Sequence, residues 1–114
     1  MRLRLLFGIC ALSASAASPA ASISDVIIMA ECGGFFNAYG SLTGQNSLYA
    51  TGSRLAAQVM LHEQDKRSVA LSFERGSEFA ETLHVGNSER DIREYIQMCT
   101  QVVGRNIDYL ASAT

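Results

Sequence analysis

Three cysteines, two histidines and four methionines are the side chains of this 114-residue chain best suited to thiol, imidazole or metal chemistry. Cys32 and Cys99 lie within apolar helical stretches. A nucleophilic cysteine needs a polar, activating neighbourhood that favours the thiolate. An apolar setting favours a structural disulfide instead, so a Cys32–Cys99 bond is expected. His62 and Glu63 begin like a zinc-protease motif, but that motif needs a second histidine four residues on, and position 66 is Lys. His62 and His84 alone make too small a ligand set for a structural metal. Met29, Met60 and Met98 could offer a thioether to haem iron, with a histidine opposite. No Cys-x-x-Cys-His attachment motif accompanies them, and methionine is also a common core filler. Gly40 to Gly44 lacks the Lys-Ser/Thr ending of a phosphate loop, and no Gly-x-Ser-x-Gly elbow occurs. Glu74, Glu78 and Glu81 read as a solvated face. No catalytic, cofactor-binding or metal-binding residue is therefore expected, and the chain is not expected to be an enzyme.

The compartment can be read from the N-terminus. Arg2 and Arg4 precede an apolar run from Leu5 to Leu12, and Ala14-Ser15-Ala16 supplies small residues for cleavage between Ala16 and Ala17. The run is shorter than the roughly 20 residues that span a bilayer. Residues 1–16 are thus expected to be a signal peptide, and 17–24, with Pro19, a disordered lead-in. Residues 25–114 are expected to form one helical domain. Cys10 leaves with the signal, so the two remaining cysteines fit one disulfide in an oxidising periplasmic or extracellular setting. Loss of Arg2 and Arg4 moves the formal charge from −2 to −4. That balance disfavours nucleic acid or an anionic membrane surface as partner. No stable membrane insertion is expected after cleavage.

The elements that must position the cysteines follow from apolar spacing. The clearest helix runs over 88–112, with Ile92, Ile96, Cys99, Val103, Ile107 and Leu110 on one face. Ser88 is its expected cap, with Asp91 placed to reach back, and Glu89 and Arg93 have the spacing of an ion pair. A first helix over 25–43, capped by Asp25, carries Ile28, Cys32, Phe35, Tyr39 and Leu42 along one face. Val26, Met29 and Phe36 widen that face, so the helix should be buried on most sides. Gly33 and Gly34 inside it each cost about 1 kcal/mol relative to Ala, which points to close helix packing beside Cys32. A second helix is expected over 47–65, capped by Asn46 or Ser47 and weakened by Gly52. A third spans 68–85, where alternation at Val69, Leu71 and Phe73 also suits a strand that would lack a partner.

The expected fold is all-α: a small four-helix up-down bundle, or three helices with an irregular segment at 68–85. One disulfide joins its first and last helices. The expected function is that of a non-enzymatic protein-binding module acting on another envelope or extracellular protein, a format shared with chaperone-, inhibitor- and immunity-type proteins. The alternative is a helical bundle that binds haem, a metal or an apolar small molecule.

Overall fold

The computed structural model describes residues 20–112, so the expected signal peptide and the Ala16/Ala17 cleavage point lie outside the described residues. Four long helices form: α1 (Ile23–Thr43), α2 (Asn46–His62), α3 (Lys66–Val85) and α4 (Glu89–Arg105). A short α5 (Ile107–Ala111) follows. No strand occurs among the described residues, and 68–85 is helical throughout. The long helices alternate in direction. Asn37 bonds to Ser53 across α1 and α2, and Asp25 to Arg105 across α1 and α4, so both neighbours run antiparallel to α1. Phe35 meets Phe79 and Tyr39 meets His84, so α3 runs parallel to it.

α1 is the axle. Residues 32–36 are all buried, which a helix presenting only one face cannot achieve. Its partners come close because glycines remove side chains where backbones cross. A Cβ added at Gly34 would lie 2.7 Å from the carbonyl carbon of Phe73, and one at Gly76 would lie 2.7 Å from that of Glu31. Ser77 Oγ donates to the Gly34 carbonyl across the same crossing. On the other side, a Cβ at Gly52 would meet the Asn37 backbone, with Cα at 2.9 Å. Gly33 and Gly34 therefore serve close helix approach. Gly76 is half of the α1–α3 crossing, although by itself a glycine inside a helix is only a local cost. In a square up-down bundle the first and third helices are diagonal; here they touch, and α2, α3 and α4 surround α1.

Several helix ends differ from expectation. Ser22, not Asp25, caps α1, its Oγ accepting from Asp25 N–H at 3.1 Å. Helix thus begins at Ile23, inside the expected lead-in. Asp25 lies in the first turn, where Arg105 grips it with two hydrogen bonds of 3.0 and 2.9 Å. α2 starts at Asn46 without a side-chain cap and stops at His62, and Asp65 caps α3 instead by accepting from Ser68. Ser88 makes no capping bond with its side chain. Glu89 and Arg93 form no ion pair, the two among the described residues being Arg75–Glu31 and Arg105–Asp25. The last helix breaks at Asn106, whose Nδ2 donates to both Asp25 and the Val102 carbonyl. That break turns Ile107 outward to 54% exposure, and Leu42, also expected in the core, is 44% exposed.

Candidate functional site

The two cysteines meet. Cys32 in α1 and Cys99 in α4 form a disulfide, with Cα atoms 5.8 Å apart and both residues fully buried. Phe35, one turn further along α1, stacks with Tyr39 and lies against Phe79 and Tyr95. Burial, with the Glu31 carboxylate nearby, pushes the Tyr95 hydroxyl up to about 12. The bond and this aromatic cluster tie α4 to α1 at mid-length. A disulfide of this kind persists in a non-reducing, extracellular-type environment. Among the described residues, no helix is long and apolar enough to cross a membrane.

The histidines do not come together. His62 stacks on Tyr109 with ring centroids 4.1 Å apart, at the end of the bundle where α1 begins. His84 packs edge-on against Tyr39, towards the other end of α1. His62 Nε2 lies 3.4 Å from Ser112 Oγ, but that hydroxyl donates to the Tyr109 carbonyl at 2.9 Å. Tyr109 donates in turn to Glu63 at 2.7 Å. Burial and that carboxylate push the Tyr109 hydroxyl well above its ordinary range. The chain from His62 to Glu63 anchors α5 to the end of α2. Met29 is fully enclosed in the core, and Met60 and Met98 are half-buried against that core. Glu74, Glu78 and Glu81 are exposed, as their spacing implies.

The concavities of the molecule follow from its three-around-one plan. Because each outer helix packs chiefly on α1, neighbouring outer helices leave grooves between them. One of them, about 510 Å³, lies between α2 and the α4–α5 segment. Phe36 forms its floor, Leu55, Val103 and Leu110 its apolar walls, and Arg54 and Gln58 part of its rim. Arg54 makes no ion pair among the described residues. Gly104 also lines this groove, and a Cβ placed there would meet nothing within 4 Å. It differs from Gly34, Gly52 and Gly76, each of which has another helix of the chain against it.

No sequence motif marked this groove. Its walls come from positions such as Leu55, Val103 and Leu110, which read simply as core-facing. The signals that could have located it are Gly104, a helical glycine with no packing duty, and the Asn106 break that turns Ile107 outward. Neither a scan against protein-family models nor searches of curated proteins and of solved structures find a match to this chain.

Proposed function

We propose that this chain is an exported, non-enzymatic binding protein whose partner is another envelope or extracellular protein. The partner inserts an amphipathic helix into the groove between α2 and α4–α5. The observation that carries this reading is Gly104. Gly33, Gly34, Gly40, Gly52 and Gly76 sit inside helices where another stretch of backbone approaches closely, and Gly104 has the same local cost without such a neighbour. A helix from outside supplies the missing neighbour. Apolar residues on its contact face would cover Phe36, Val103 and the exposed Ile107, in the helix-in-groove mode of recognition. An acidic residue at its edge would meet Arg54, which has no ion pair among the described residues. Export is supported by the signal-like N-terminus and by the disulfide.

The test is retention of an envelope protein by the immobilised chain, compared among variants. Gly104→Trp and Ile107→Glu change open or exposed positions, and thermal melting confirms that each folds. Both are expected to lose the partner that the wild type retains, while Glu81→Lys on the outer face of α3 keeps it. Retention by all the variants alike would overturn the groove as the binding surface.

A further inference from the structure

A second concavity lies apart from that groove. It opens between the first turns of α1 and α3 and holds about 260 Å³. Ile23, Val26, Ile27 and Ala30 form one wall and Val69 part of the other. Ser72 is set into the α3 wall and is only 5% exposed, yet its hydroxyl makes no hydrogen bond among the described residues. Among the described residues no polar side-chain atom is sealed off without a partner, so this hydroxyl is open to the cleft. With no partner among the described residues, that hydroxyl can bond to a polar group placed in the cleft.

At the other end stand two carboxylates. Glu63 accepts Tyr109's hydroxyl on Oε2, and its Oε1 has no partner among the described residues. Asp65 accepts from the N–H and hydroxyl of Ser68, and those bonds hold it below the ordinary carboxylate range, so it is ionised at neutral pH. No basic side chain among the described residues lines the cleft. Lys66, the nearest in sequence, donates its ammonium to the Met60 and Glu63 carbonyls. The positive end of α3 would ordinarily attract an anion, but Asp65 already occupies that position. An added anion would face two carboxylates; an added cation would be attracted by both.

We propose that this cleft binds an aliphatic amine with a hydrogen-bonding group at its far end. The ammonium sits between Glu63 and Asp65, the alkyl chain lies between Val26, Ile27 and Val69, and the far group bonds to Ser72 Oγ. Asp65 and Ser72 are seven residues apart, so along the helix the two polar points are separated by roughly 10 Å. A six-carbon amino alcohol matches that span.

Backbone amide NMR titration of the disulfide-bonded protein tests the assignment, with 6-aminohexanol, hexylamine and 6-hydroxyhexanoate as probes. The expected result is that 6-aminohexanol shifts the amides of Ala30, Val69 and Ser72 and binds at least about tenfold more tightly than 6-hydroxyhexanoate. Glu63→Gln combined with Asp65→Asn keeps the acceptor for Tyr109 and the cap of α3 while removing both charges, and should erase that preference. Ser72→Ala should bring 6-aminohexanol down to the affinity of hexylamine. Equal binding of amine and carboxylate, an unchanged preference in the double variant, an unchanged affinity in Ser72→Ala, or no shifts at these amides would each overturn the proposal.

Discussion

Gly76→Ala adds a single methyl group, and the structure places it against backbone. The new Cβ would lie 2.7 Å from the Glu31 carbonyl carbon and 3.0 Å from its Cα, with the carbonyl oxygen nearer still. Ordinary contact for a Cβ begins near 3.4 Å, so α1 and α3 must part by about 0.7 Å to clear the carbonyl carbon and by more to clear the oxygen. A flexible side chain could rotate away, but a helix backbone cannot. Parting the helices also loosens Ala80 and Phe35, both fully buried at this crossing. Overpacking of this kind costs up to about 3 kcal/mol, and the better helix propensity of Ala offsets about 1. The net loss of about 2 kcal/mol should lower the melting temperature by about 10 °C, read by far-UV circular dichroism with the disulfide intact. Gly104→Ala is the internal control. Its Cβ meets open space, so only the propensity gain remains, and the melting temperature should rise by a few degrees. A Gly76→Ala protein that melts at or above the wild type would refute the glycine-mediated crossing.

Two further outcomes follow. The Cys32–Cys99 bond spans 67 residues of sequence, so reduction or Cys→Ala at either position should cost about 4 kcal/mol in the chain-entropy model. The double replacement should lose no more than either single one, because both remove the same bond, and denaturant titration reads all three. Asp25 is held down at about 2 by its hydrogen bonds to Arg105 and Asn106. Its link between α1 and α4 is therefore fully present above about pH 4, the unfolded value, and is lost as pH falls towards 2. Asp25→Asn should flatten that part of the acid-unfolding curve, whereas an equally steep curve in the variant would show that other carboxylates carry it.

How much of this was legible beforehand depends on which physical feature is local. The four long helices were, because apolar spacing, Gly44 after α1 and Gly86 after α3 are local signals. The disulfide was too, since two mid-helix cysteines on facing helices leave little other choice. Gly33 and Gly34 could be read as packing glycines because they flank a buried cysteine. Gly76 could not, because its role depends on Glu31, 45 residues away, approaching it. Asp25 has a good capping residue's chemistry, but Ser22 caps the helix and the Asp25 carboxylate accepts from Arg105 and Asn106 instead. Ile107 continued the apolar seam on paper, and the Asn106 bonds broke the helix just before it. Both concavities arise from how α2, α3 and α4 are spaced around α1. That spacing is set by the glycine crossings jointly, and the signals at Gly104 and Asn106 mark only the α2/α4–α5 groove.

The most direct test of the binding function places a photo-crosslinking residue at Ile107, on the rim of the α2/α4–α5 groove. A second protein carries it at Glu81, on the outer face of α3. After irradiation in the cell envelope, position 107 is expected to yield one discrete crosslinked protein, absent from position 81 and lost when Gly104→Trp fills the groove. Crosslinks at both positions alike, or none at 107, would contradict a partner helix seated there.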